Sequence, residues 1–221
     1  MRREASTSLP ARRTTELLVT GYLLFLLVLA LTPDPAISTR SGAIAALGIG
    51  WAFFGLSIAA AIAILRRKGR QERPIGGTVV VLALLAAVPL RFLAAYITGP
   101  GVRSAGGSAG YFPFLILMTG IVGSWLIAPF AEEWVFRGYL LPAVPTWRDV
   151  SLNALVFAAF HPWNFAHVGP SLRAHAAVLV LGLALAATKK LTRSTWACVA
   201  LHFFINVSGL LMVRWVTEVV G

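Results

Sequence analysis

Two adjacent carboxylates, Glu132 and Glu133, stand in the sequence AEEWVFRG, at the end of a run from Phe112 to Ala131 that carries no charge. An acid within a membrane-spanning helix costs about 2.5–3.5 kcal/mol on insertion scales, so such residues are paired or put to use. Only eight Asp and Glu occur in the whole chain, which makes two at this depth informative. On a helix, Glu133 and Arg137 are i, i+4 neighbours and can form an ion pair, whereas Glu132 is rotated about 140° away from Arg137. One acid is then neutralised and the other left available. The plainer alternative is a structural ion pair, with Glu132 merely reaching the interface.

Two further places put polar side chains inside apolar runs at helical spacing. In FAAFH, Phe157 and His161 share a face, and in HFFIN, His202 and Asn206 do so. Taken singly, each is an ordinary interhelical hydrogen-bonding residue. Depth sets them apart: at 1.5 Å per residue, His161, His202 and Asn206 lie about 10–16 Å from the inner ends of their segments. Glu132 falls in the same half. A carboxylate, two imidazoles and a carboxamide in one leaflet suit hydrolysis of a peptide bond without a covalent intermediate. A desolvated glutamate helped by a histidine can activate water near neutral pH, and His and Asn side chains can hold the oxyanion. The same Glu132, His161 and His202 would also make a zinc site with water as fourth ligand, although the H-E-x-x-H helix is absent. No metal, or a divalent metal of which zinc is the first choice, are thus both open. Other chemistries fit worse. There is no G-x-S-x-G elbow, neither Asp34 nor Asp149 lies in an apolar run, and Cys198 reads as packing. His167 and His175 fall near the outer ends of their segments, away from the cluster.

The segments that must carry these residues dominate the composition. With 58% hydrophobic and 12% charged residues and a mean hydropathy of +0.80, the chain is wrong for a water-soluble domain of 221 residues. Apolar runs long enough to cross a bilayer fall near 15–32, 43–65, 77–98, 112–136, 151–167, 172–188 and 195–217. The expected fold is therefore all-α, a polytopic transmembrane bundle of about seven spans, with Pro162, Asn164 and His167 marking the fifth as short or broken. The net charge of +11 does not indicate nucleic acid, because the cations sit in short clusters between apolar runs. With the N-terminus inside, the inner side receives Arg2, Arg3, Arg12, Arg13, Arg66, Arg67, Lys68, Arg70, Arg73, Arg137, Arg148, Lys189, Lys190 and Arg193. The outer side receives only Arg40, Arg103, Arg173 and Arg214, with Arg91 inside a span. The asymmetry selects a cytoplasmic N-terminus.

Arg12 and Arg13 resemble a twin-arginine start, but no A-x-A site follows the first apolar core and TPDP reads as a turn, so the first span is expected to be retained. The basic hairpin at 66–73 reads as a solvated topogenic loop. The loop GPGVRSAGGSAG reads as a flexible outer connection. No repeat or second domain is apparent, and 1–221 is taken as one integral membrane domain.

APFAEEWVFRGYL, FAAFH and HFFIN, in this order on successive segments, resemble the EExxxR, FxxxH and HxxxN motifs of the CAAX prenyl protease and bacteriocin-processing (CPBP, or Abi) family of intramembrane proteases. The resemblance covers about 112–212, a catalytic core, while 1–111 match only in being hydrophobic. It implies an intramembrane endopeptidase, sometimes labelled a metalloprotease, acting near the cytoplasmic leaflet on a peptide or membrane-associated protein. Glu132 with His161 would activate water, His202 and Asn206 would form the oxyanion site, and Glu133, Arg137 and Phe157 would support them. Richness in Ala, Arg and Gly suggests a bacterial inner membrane, with the site facing the cytoplasm. A non-catalytic immunity or binding protein of the same fold is the alternative. A proton-coupled transporter is a further one, but it predicts polar residues through the whole thickness and inverted repeats. Substituted-cysteine labelling in intact cells tests the orientation: position 148 should be shielded from an impermeant reagent and position 40 labelled, and the reverse result would overturn it.

Overall fold

The computed structural model describes residues 9–31, 39–68, 72–98, 121–161 and 172–219. Every regular element among them is helical. In chain order these are α1 (Leu9–Leu31), α2 (Arg40–Lys68), α3 (Gly77–Thr98), α4 (121–140), α5 (Trp147–Ala159), α6 (Leu172–Thr192) and α7 (Thr195–Val219). They fall in order on the seven apolar segments. Three stretches, Arg40–Lys68, Gly77–Ile97 and Leu172–Thr192, are long and apolar enough to cross a membrane by length and composition. The expected start of the fourth span at 112, the 99–110 loop and the Pro162, Asn164 and His167 interruption lie outside the described residues.

Helix α4 is the hub, touched by α2, α5 and α7. Its Trp134, Val135 and Phe136 are all but fully buried, Trp134 meeting Trp196 of α7 edge-on at 5.5 Å and Phe136 meeting Phe157 of α5 at 5.1 Å. The helix is not uniformly wound. Gly123–Ile127 and Trp134–Leu140 are π-helical, and Ala128–Glu133 between them is α-helical. Pro129 supplies a local cause for the first change, since it has no amide to donate and its ring crowds the carbonyl one turn back. Gly123 is needed there for a different reason: a Cβ would run into the ring of Phe54 on α2.

Helix α3 shows why the bundle needs lipid. Ala83, Ala87 and Ala94 turn inward, while Val81, Leu82, Leu84, Leu85, Val88, Phe92 and Leu93 are exposed. An apolar face of that extent is untenable in water and natural in hydrocarbon. Helix α5 begins with a capping box, Thr146 and Asp149 bonding reciprocally, and the Thr146 hydroxyl and amide hold the Asp149 carboxyl below the usual range. Close contact of α5 with α6 depends on Gly182, whose absent Cβ would lie 3.1 Å from the Phe157 ring and 3.3 Å from the Ala154 carbonyl.

One end of the bundle is closed by buried polar contacts rather than by solvated charge. Glu72 accepts from Lys189 Nζ at 2.6 and 2.9 Å, from the Thr195 hydroxyl at 2.9 Å and from the Thr195 amide at 2.8 Å. Its carboxylate thus meets the first turn of α7, where the helix dipole favours an anion. Lys68 Nζ donates to the carbonyls of Gly138 and Tyr139, at 3.0 and 3.4 Å, and the Ser194 hydroxyl donates to the Arg73 carbonyl. The expectation of a wholly solvated 66–73 hairpin is therefore corrected: Lys68 and Glu72 tie it to α4, α6 and α7. Arg137 and Lys189, grouped above with the loop cations, are buried. The turn between α6 and α7 is closed by Arg193 in the left-handed region, φ 57°.

Removing one member of a buried ion pair strands the other, at a cost of about 3–5 kcal/mol. Lys189→Met is expected to lower the unfolding free energy of the detergent-solubilised protein by that order, with Arg148→Met, at an exposed position, nearly neutral. Equal midpoints for the two variants in denaturant would show that the clasp carries no stability.

Candidate active site

The second π-helical stretch begins immediately after the two glutamates, and α4 presents them to different neighbours. Glu133 is wholly buried, and its Oε1 accepts from Arg137 Nη1 at 3.1 Å, the i, i+4 pair expected from spacing. The same oxygen accepts from His202 Nδ1 of α7 at 2.8 Å. Arg137 is held further by donation from Nη2 to the Gly182 carbonyl at 3.1 Å and by the Phe157 ring, 4.2 Å from its Cζ. Burial of three ionisable side chains is tolerable because each is paired.

Glu132 faces the other way. Its Oε2 lies 3.6 Å from His161 Nε2, just beyond hydrogen-bonding length, and that buried oxygen has no hydrogen-bond partner among the described residues. The side chain is 12% exposed and that of His161 10%. His161 stands at the frayed end of α5, its amide bonded to the Ala158 carbonyl, and its Nδ1 lies 2.7 Å from the Phe157 carbonyl. A carbonyl only accepts, so Nδ1 carries the proton and, in the neutral ring, Nε2 keeps its lone pair toward Glu132. Likewise Nδ1 of His202 donates to Glu133, leaving its Nε2 as the outward edge of the ring.

Phe157 joins the two halves. Its ring lies 4.2 Å from that of His161, 6.2 Å from that of His202 and under the Arg137 guanidinium. Asn206 follows His202 by one turn on the same face of α7 and is partly buried. The structure thus brings together Glu132 with His161, and Glu133 with Arg137 and His202. The hydrogen bond from His202 to Glu133 is a pairing that sequence reasoning did not raise. Helix spacing orders residues within α4 but carries no information on the azimuth of α7, so sequence could not show that.

The remaining candidates separate cleanly. Cys198 is buried, and its Sγ points at the carbonyls of Leu185 and Ser194, at 3.3 and 3.5 Å, as a packed thiol. His175 is on the first turns of α6, and His167 lies outside the described residues. Among the described residues no three His, Cys, Asp or Glu side chains are gathered so as to hold a metal ion. Nδ1 of His161 and Nδ1 of His202 are each bonded to a protein acceptor, the arrangement in which an imidazole that ligates a metal does so through Nε2. Asn153, which sequence reasoning missed, donates to the Phe136 carbonyl at 2.8 Å and so secures the π-helical turn beside the site. Its only signal was a carboxamide in an otherwise apolar segment.

A comparison with protein families matches residues 113–208 to the family model described as Rce1-like, type II CAAX prenyl endopeptidase, consistent with the CPBP family. No curated protein and no solved structure matches the chain. The match spans less than half of the chain, and three helices are long and apolar enough to cross a membrane.

The buried charges form one coupled unit, which mutation can read out. Glu133→Gln should destabilise the protein by about 3–5 kcal/mol, since Arg137 loses its counter-charge and His202 its charged acceptor. Glu133→Gln with Arg137→Met should cost less than the sum of the two single changes. Strict additivity in thermal or denaturant unfolding would mean that the pair is not coupled.

Proposed function

Taking the match to a membrane-embedded CAAX protease family as premise, we propose that this chain is an intramembrane endopeptidase in which Glu132 and His161 activate water. The observation that carries the reading is the buried Oε2 of Glu132, without a hydrogen-bond partner among the described residues and 3.6 Å from Nε2 of His161. A buried carboxylate oxygen calls for a donor, and a water held beside it and the imidazole would supply one. In the reaction, Glu132 with His161 takes a proton from that water as its oxygen attacks the peptide carbonyl, and returns it to the departing amine. No covalent acyl intermediate is needed.

The charge that develops on the carbonyl oxygen falls to α7. His202, its Nδ1 bonded to Glu133, presents Nε2 to the oxyanion and donates to it when the ring carries both protons. Asn206, one turn along, supplies the second donor. Arg137 holds Glu133 in place through their hydrogen bond, and the Phe157 carbonyl fixes the His161 tautomer. In this role Glu133, Arg137 and Phe157 are positioning residues. No step of this reading passes through a metal. The inner side of a bacterial cytoplasmic membrane is the proposed location, on the strength of the charge asymmetry. The substrate is a peptide or membrane-associated protein presented from that side.

The test is cleavage of a peptide library by purified protein reconstituted in lipid. Glu132→Gln and His161→Ala are each expected to lower kcat by about 10²–10⁴-fold without loss of folded protein, and a chelator should leave the wild type active. Wild-type rates in Glu132→Gln would refute the mechanism. Loss on chelation with recovery on zinc would replace it by a metal-assisted one.

A further inference from the structure

Arg91 is an ionisable residue within the bundle that neither the ion pairs nor the mechanism uses. Arg91 lies inside α3 on the stripe of Ala83, Ala87 and Ala94, the face that turns into the bundle. It is partly buried and makes no hydrogen bond or ion pair among the described residues. Its guanidinium lies against α7 at Gly209: a Cβ there would fall 2.8 Å from Nε and 3.0 Å from Cζ and Nη2. Gly209 shares a helical face with His202 and Asn206, three residues beyond the latter. At 1.5 Å per residue, Arg91 therefore reaches α7 about 5 Å past Asn206 and about 10 Å past His202.

An arginine directed at hydrocarbon snorkels to an interface; one directed into a bundle is paired or serves a ligand. Arg91 is of the second kind, and the described residues offer it no anion. The planar, five-donor guanidinium matches a carboxylate better than any other common anion of a peptide. The geometry points to Arg91 as the docking residue for a carboxylate of the substrate, holding the chain along α7 so that the scissile carbonyl lies at His202 and Asn206. This deepens the protease reading and rests on it. It also brings α3, which lies outside the matched segment 113–208, into substrate selection.

The test measures binding rather than cleavage, so its outcome does not depend on the proposed hydrolysis. The full-length Glu132→Gln protein is placed in nanodiscs of phosphatidylcholine and titrated with a fluorescein-labelled apolar decapeptide pool in three forms. These are a free C-terminal acid, a C-terminal amide, and an amide with one internal Glu. One or both carboxylate forms should bind at least about tenfold more tightly than the plain amide, the worth of a charge-assisted bidentate contact. Which form does so tells a terminal carboxylate from a side chain. Arg91→Gln and Gly209→Ala, the latter by pushing the guanidinium aside, should erase the preference, and Arg91→Lys should keep part of it. Equal binding of all three forms overturns the proposal, as does a preference that survives Arg91→Gln. A preference abolished by adding phosphatidylglycerol, with Arg91-dependent retention of that lipid, would assign Arg91 to a lipid phosphate instead and equally overturn it. Unimpaired cleavage by Glu132→Gln would refute the mechanism while leaving the binding comparison intact.

Discussion

A single carboxylate oxygen, Oε1 of Glu133, organises the middle of this protein. It lies where no water reaches and receives a hydrogen bond from Arg137 within its own helix and another from His202 on α7. In an apolar surrounding an unpaired carboxylate is prohibitive, and an unpaired guanidinium no less so. The three groups therefore fix one another: α7 cannot rotate without exposing Glu133, and α4 cannot unwind without releasing Arg137. Arg137 carries the constraint onward to α6 through the Gly182 carbonyl and to α5 through the Phe157 ring.

The proposed reacting groups are arranged around this fixed point by small deviations from regular structure. Two π-helical turns flank the α-helical stretch Ala128–Glu133, within which the roughly 100° step per residue turns adjacent glutamates toward different helices. Gly182 lets α6 approach α5 until its carbonyl meets Arg137. The end of α5 leaves His161 beyond the last helical turn, where its ring folds back onto the Phe157 carbonyl. Such fitted irregularities are affordable here because the surrounding helices supply the compensating contacts.

Much of this was legible in residue spacing. Apolar run length announced the seven helical segments, and i, i+4 spacing announced the Glu133–Arg137 pair, because both are properties of one helix. The relation of His202 to Glu133 was not, since it depends on how two helices are rotated against each other. Glu72 was missed for a related reason. Set among Arg66, Arg67, Lys68, Arg70 and Arg73, it reads as one more solvated charge, and only the fold shows it seated on the first turn of α7. The π winding had a local signal in Pro129, but a proline in a helix has several outcomes and sequence does not choose among them.

The Glu72 clasp also bears on how the chain is divided. The family-like segment begins after α3, yet the acid that neutralises Lys189 and receives the first amide of α7 comes from the connection between α2 and α3. A fragment starting at 113 would carry the proposed chemistry and lack the counter-ion of its own sixth helix. Sequence similarity and physical self-sufficiency thus have different borders in this protein. Any shorter relative confined to the similar segment would have to supply that negative charge from elsewhere, or dispense with the lysine.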